Sequence, residues 1–204
     1  MAAMNNRPHS PAAERNRTPI AEELVAALSG QGSMLEIGAG TGQHADYMSR
    51  RLPAWRWLPT EHPAQFEVLR RGLDGIQAPG LRTPLALDVC GRWPNERFDS
   101  VYSANTAHIM HWNAVEAMFS GVGSCLAPSG RFFLYGPFMQ GGQHHASSNA
   151  EFDRSLQARD PGMGVRDLDD LDALAARANL VRVAELLLPA NNHMLIFEAK
   201  GQAE

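Results

Sequence analysis

Ser33-Met34-Leu35-Glu36-Ile37-Gly38-Ala39-Gly40-Thr41-Gly42, followed by Ala45, Met48 and Leu52, is the stretch that decides the fold. A short apolar run enters three glycines at alternate positions and leaves with apolar residues at helical spacing. It reads as strand, tight turn and helix. Gly38, Gly40 and Gly42 let the backbone turn sharply and approach a ligand with no Cβ in the way, and the helix that follows offers unpaired N–H groups. A dinucleotide fingerprint wants its third glycine one position later, where Gln43 stands, and a phosphate loop wants a Gly-Lys-Ser/Thr ending, which is absent.

Working outward, strand and helix signals alternate. Trp55-Arg56-Trp57-Leu58 predicts a strand ending near Glu61, and Pro63 fits the first turn of a helix carrying Phe66, Leu69 and Leu73. Pro84 to Val89 and Phe98 to Ser103 predict two more strands. Asn113, with Glu116 three residues on, reads as a capping box opening a helix with Val115, Met118, Phe119, Val122 and Leu126 on its apolar face. Pro128-Ser129-Gly130 reads as a turn before a central strand, Arg131 to Tyr135. Then come a glycine-rich polar stretch from Met139 to about Ser148, a short helix around Phe152 and Leu156, a helix capped by Asp167, and a hairpin of Val181–Leu188 and His193–Ala199. Upstream, Thr18-Pro19 reads as a helix start, with Ile20, Leu24, Val25 and Leu28 on one face. The fold class expected is α/β, with a Rossmann-like, seven-stranded, mostly parallel sheet, helices on both faces and a C-terminal antiparallel hairpin.

The chain has 204 residues, 44% of them hydrophobic, enough for one core; residues 1–13 read as a disordered tail and 14–204 as one domain. With 18 Lys+Arg against 22 Asp+Glu the net charge is -4, which offers no global field for nucleic acid. No signal peptide and no 18-residue apolar run is present, so no membrane partner is expected and the location expected is cytoplasmic. Cys90 and Cys125 both read as buried core thiols, outside any disulfide or zinc pattern. Oligomeric state is not legible.

Ligands of such a sheet bind beyond the carboxyl ends of its strands, where strand order reverses. Acidic residues recur there: Glu36 inside the first turn, Glu61 after the second strand and Asp88 after the third. S-adenosylmethionine carries an ammonium, a ribose diol and an adenine amine, each suited to a carboxylate acceptor, whereas a phosphate would be repelled. The other reading of these carboxylates is a turn cap and two solvated strand ends.

Glu36-Ile-Gly-Ala-Gly-Thr-Gly42, Glu61 and Leu87-Asp88-Val89 resemble the first three motifs of class I S-adenosylmethionine-dependent methyltransferases. Arg15-Asn-Arg-Thr-Pro-Ile20, Tyr135-Gly-Pro-Phe138, Ser148-Asn149, Arg159 to Leu168 and Pro189-Ala-Asn-Asn192 are similar to a small methyltransferase-like family of bacteria and eukaryotes. The resemblance implies S-adenosylmethionine as cofactor, held by Glu36, Gly38, Gly40, Thr41, Gly42, Glu61, Asp88, Val89 and Asn105. It implies no particular acceptor, and the acidic balance leans toward a small molecule.

In Ala104 to Trp112, after the fourth strand, His108 and His111 are candidate general bases, since an imidazole titrates near neutrality. His108 equally suits a histidine that hydrogen-bonds the loop backbone. Arg17, Tyr135, Asn149, Arg159, Arg166 and Asn191 are candidates for holding an acceptor; Arg159-Asp160 and Arg166-Asp167 could instead brace their loops as local ion pairs. His144-His145 and His193 lack an i, i+4 pair and a nearby carboxylate cluster, so no metal is expected, and the segment from Gly141 to His145 reads as a mobile cover. A cofactor-binding interaction protein without turnover and a nicotinamide-dependent reductase are the alternatives, the second opposed by Gln43.

Overall fold

Every strand residue of Gly32–Ile37 after the first is buried, which is what a strand covered on both faces requires. The computed structural model describes residues 7–201. In chain order the elements are α1 (Pro11–Ala27), β1 (Gly32–Ile37), α2 (Gln43–Arg51), β2 (Trp55–Glu61), α3 (Phe66–Leu73), β3 (Leu85–Ala86), β4 (Phe98–Ala104), α4 (Trp112–Cys125), β5 (Leu126–Gly136), β6 (Phe138–Gln140), β7 (Gln143–His144), α5 (Ser147–Arg159), β8 (Arg166–Asp167), α6 (Leu168–Arg177), β9 (Leu180–Leu188) and β10 (Asn192–Ala199).

Seven strands form one sheet in the order β3-β2-β1-β4-β5-β10-β9. β1 pairs in parallel with β2 and β4, and β10 runs antiparallel between β5 and β9. The chain therefore builds outward from β1 to β3, then returns to start β4 on β1's other side, which places the reversal point between β1 and β4. Alternate residues of each strand feed two cores. Leu35, Ile37, Val101, Phe132 and Phe197 pack with α4 and α6, while Met34, Trp57, Tyr102, Phe133 and Met194 pack with α1, α2 and α3.

Several expectations are corrected. The tail expected over residues 1–13 falls partly outside the described residues, but from Arg7 onward the chain is tied down: the Arg7 guanidinium donates to Asp74 O at 2.7 Å, and the Ser10 hydroxyl accepts from Ala13 N. α1 thus starts at Ser10-Pro11, a serine cap followed by proline, and Pro19 lies inside the helix rather than at its start. Of its expected face, Ile20 and Leu24 are buried but Val25 is 45% exposed. The strand expected over Pro84–Val89 is only Leu85–Ala86, because the Asp88 carboxylate accepts from Cys90 N at 2.9 Å and turns the chain. Cys90 is exposed on that turn, against expectation; Cys125 is buried.

His111, not Asn113, is the N-cap of α4, and Glu116 pairs with Arg177 at 3.4 Å instead of closing a capping box. Pro128-Ser129-Gly130 is an excursion within β5, with Ser129 at a φ of 59° and a register shift opposite Asp99. The polar stretch from Met139 is a second small sheet, β7-β6-β8, whose hairpin turns through Gly141 and Gly142 at φ of 58° and 75°. The Asp167 carboxylate accepts from Gly142 N at 2.6 Å and from Asp169 N at 3.0 Å, so one side chain caps α6 and fastens the hairpin.

Candidate functional site

A cavity of about 730 Å³ opens beyond the carboxyl ends of β1, β2 and β4, at the reversal of strand order. The glycine turn forms its floor. Gly38 and Gly40 have φ of 71° and 57°, in the left-handed region. At Gly38 a Cβ would meet Thr106 Cγ2 at 2.3 Å, whereas at Gly40 it would point into open space. Gly42, the N-cap of α2, lies under the turn against Leu73 and does not face the cavity.

The three carboxylates differ in state. Glu61 faces the cavity and holds the turn in shape, accepting from Gly40 N at 2.6 Å and from His62 N at 2.7 Å. Glu36 is buried at the inner end; its Oε2 accepts from the Trp57 indole at 2.6 Å. Burial raises its pKa to about 8 against the opposing indole bond, and the nearby Glu61 charge adds to the rise. It is therefore mostly neutral at pH 7. Asp88 is exposed on the cavity wall, with Leu87 and Val89 buried on either side. Thr41 and Asn105 face the cavity too. Asn105 takes a φ of 59° and donates its N–H to Tyr135 O at 2.9 Å, which kinks the chain leaving β4.

The two histidines separate. His111 faces the cavity, and its Nε2 lies 2.8 Å from Asp160 Oδ2. Asp160 also accepts from Gly162 N at 2.8 Å, and these bonds, His111 first, hold its carboxyl below the usual range. A carboxylate only accepts, so Nε2 is the donor, and in the neutral ring the lone pair is on Nδ1. His108 does not face the cavity. It is buried edge-on against Phe152 at 5.1 Å, and burial, helped by Arg166 and Arg159, lowers its pKa to about 4. Its carbonyl accepts from Gly164 N at 2.9 Å.

The six acceptor-holding candidates lie outside the cavity wall. Arg17 pairs with Glu14 and covers the Tyr47 ring at 4.7 Å. Tyr135 is buried, and its carbonyl accepts from Asn105 N at 2.9 Å. Asn149 donates to Asn191 O at 3.0 Å, and Asn191 donates to Ser148 Oγ at 3.3 Å. Arg159 reaches Met163 Sδ at 3.6 Å. Arg166 braces by carbonyls rather than by pairing with Asp167: it donates to Ala107 O at 2.9 Å, to Met110 O, and to Gly162 O at 3.1 Å. It ties the loop after β4 to the loop before β8.

Sequence reasoning missed His44. It is buried on α2 at the cavity wall, with Nδ1 2.9 Å from Tyr102 OH and Nε2 2.8 Å from Asn16 Oδ1. Burial lowers its pKa to about 4. The signal was available in Asn16, which stands four residues before Ile20 and eight before Leu24 on one apolar face. Gln43, weighed only as a missing glycine, accepts from Ser10 N at 2.5 Å and from Thr41 Oγ1 at 2.8 Å, so it joins α1 to the glycine turn.

The fold is one shared with solved methyltransferase structures of low sequence identity. The chain is similar to an O-methyltransferase family protein from Burkholderia thailandensis, with a TM-score of 0.78 at 13% identity, over 94% of this chain and 58% of that one. It is similar to mitomycin 7-O-methyltransferase MmcR, with a TM-score of 0.73 at 18% identity, over 92% of this chain and 55% of that one. CalO1, a methyltransferase of calicheamicin biosynthesis in its SAH-bound form, gives a TM-score of 0.67 at 15% identity, over 91% and 56% of the two chains. The chain thus spans little more than half the length of these proteins. By sequence it belongs to the family described as "Protein of unknown function (DUF938)", which matches residues 7–199. Among the described residues no helix is long and apolar enough to cross a membrane.

Proposed function

We propose that this chain is an S-adenosylmethionine-dependent methyltransferase acting on a small-molecule acceptor. The observation that carries the reading is the cavity at the reversal point, where the open backbone of Gly40 meets the Glu61 carboxylate. The residues fit that cofactor. Glu61 and Asp88 supply acceptors for hydroxyl and amine donors, Leu87, Val89 and Ile109 supply apolar wall, and Gly40 leaves room where any side chain would intrude. A phosphate-bearing ligand would meet uncompensated negative charge at Glu61 and Asp88.

When bound, the cofactor supplies a methyl group on a sulfonium, open to in-line displacement by an acceptor's lone pair. The chain's work is then alignment, exclusion of water and proton removal. His111 is the proton acceptor: it faces the cavity, and Asp160 fixes its tautomer with the Nδ1 lone pair free to take a proton from a hydroxyl. Asp160 also stabilises the imidazolium that results. His108, buried away from the cavity, holds the loop instead.

Calorimetric titration with S-adenosylmethionine, S-adenosylhomocysteine and a nicotinamide dinucleotide tests the binding half. Both adenosyl compounds should bind, and Glu61→Ala should weaken them; a chain that takes only the dinucleotide overturns the reading. Labelled-methyl transfer into a metabolite extract tests turnover, and cofactor binding without any labelled product is the behaviour of an interaction protein.

A further inference from the structure

Sequence spacing separates His145 from His193 by 48 positions and gives neither a carboxylate neighbour, yet folding supplies one. Leu195 pairs with Glu185 and His193 with Leu187 across β9 and β10, so Glu185 and His193 are diagonal neighbours on one face of the hairpin. His193 Nδ1 lies 2.6 Å from Glu185 Oε1. His145, on the two-residue link between β7 and α5, brings its ring to 4.7 Å from the His193 ring, centroid to centroid. One donor atom from each of the three residues lies within 4.8 Å of the others.

We propose that His145, Glu185 and His193 form a binding site for one divalent transition-metal ion of the zinc type, separate from the cofactor cavity. Two imidazoles and a carboxylate are the donors such an ion takes, whereas calcium and magnesium ask for oxygen throughout. Bonds of about 2.0 Å in a tetrahedral array set ligand atoms roughly 3.3 Å apart. The Glu185–His193 distance of 2.6 Å is below that value and the other pairs lie within 4.8 Å, so small side-chain rotations complete the site.

His193 is 6% exposed, and its Nε2 is buried with no hydrogen-bond partner among the described residues. The contact to Glu185 is made through Nδ1, so Nδ1 is the nitrogen that would turn to the ion. Glu185 is already oriented for a single-oxygen role, because Arg182 Nη1 holds its Oε2 at 2.7 Å and leaves Oε1 turned to His193. Asn191 lines the same hollow. The ion would pin the small sheet and α5 to the hairpin of the main sheet.

The full chain, stripped with EDTA and dialysed, is titrated with Zn²⁺ by calorimetry, and with Co²⁺ while visible absorption is followed. One Zn²⁺ per chain is expected, with a tetrahedral-type Co²⁺ band. His145→Ala and Glu185→Gln should each weaken binding at least tenfold, and His9→Ala should leave it unchanged. Both altered side chains are exposed, so the metal-free variants should keep the parent's circular dichroism. No Zn²⁺ bound to the parent, or undiminished affinity in either variant, overturns the site.

Discussion

His111 Nε2 lies 2.8 Å from Asp160 Oδ2, joining the N-cap of α4 to the loop after α5 at the mouth of the cavity. Gly162 passes so close beneath the imidazole that a Cβ there would come within 2.6 Å of it. The ring is therefore held by both an acceptor and a glycine fitted to its face. If His111 takes the acceptor's proton, His111→Ala should lower kcat by about 10²- to 10⁴-fold with cofactor affinity unchanged. Asp160→Asn should lower it less. An unchanged rate in His111→Ala at every pH would remove the role.

How much of this was legible divides along the reach of the interactions. The run from Glu36 to Gly42 declares itself because strand, turn and helix lie within one contiguous stretch, each with its own period. Asp88 and Glu61 follow from counting strands. The choice between His108 and His111 was not legible, since three residues along an irregular loop separate a buried side chain from an exposed one. Long-range partners are absent from local pattern altogether: Asp160 for His111, Ala107 O and Met110 O for Arg166, Glu185 for His193. The segment 139–148 hid its hairpin because its strands are two and three residues long and depend on Asp167 for closure.

Gly40 and Gly38 separate binding from folding. A Cβ at Gly40, a residue of the cavity wall, meets nothing within 4 Å, and its φ of 57° costs about 1–2 kcal/mol for a side-chain-bearing residue. Gly40→Val should fold, with lowered stability, and lose cofactor binding in calorimetry. Gly38→Ala adds an overlap with Thr106 Cγ2 and should unfold at lower urea concentration than Gly40→Ala. Equal midpoints would show that Thr106 gives way freely.

Arg166 should tolerate no conservative replacement. Its planar fork donates to three carbonyls from two loops, and a lysine ammonium on a single stem cannot span them. Arg166→Lys should cost about 1–3 kcal/mol in urea unfolding, the range for leaving buried carbonyls unmet. It should also loosen the loop that presents His111, so kcat should fall more than cofactor affinity. Parent-like stability would assign those carbonyls to water.

Stability should peak near pH 6.5. His44 and His108 have folded values of about 4, below their ordinary 6.5, so their contribution is complete above 6.5 and is lost as pH falls toward 4. Glu36 is raised from 4.5 to about 8, so its contribution is complete below 4.5 and is lost as pH climbs toward 8. Between 4.5 and 6.5 the two histidines outweigh the one carboxyl; between 6.5 and 8 Glu36 governs, with a slope of at most about 1.4 kcal/mol per pH unit. Urea midpoints in Glu36→Gln should level off above pH 6.5. A parent-like decline in that variant would place the alkaline loss elsewhere.

The same carboxyl gives cofactor binding a proton signature. Glu36 is mostly protonated at pH 7 in the free protein, held so chiefly by burial, and it faces the cavity floor. A cationic ligand entering the cavity favours its ionised form by direct charge attraction, so binding should expel on the order of one proton. Titrations at pH 7 in buffers of different ionisation enthalpy count that proton as the slope of observed heat against buffer enthalpy. The slope should fall to near zero in Glu36→Gln and should shrink at pH 9, where the carboxyl is already ionised. S-adenosylhomocysteine keeps the ammonium and loses the sulfonium, so comparing its slope with that of S-adenosylmethionine tells which charge Glu36 answers to. Equal slopes assign it to the ammonium, and a slope present only with S-adenosylmethionine assigns it to the sulfonium.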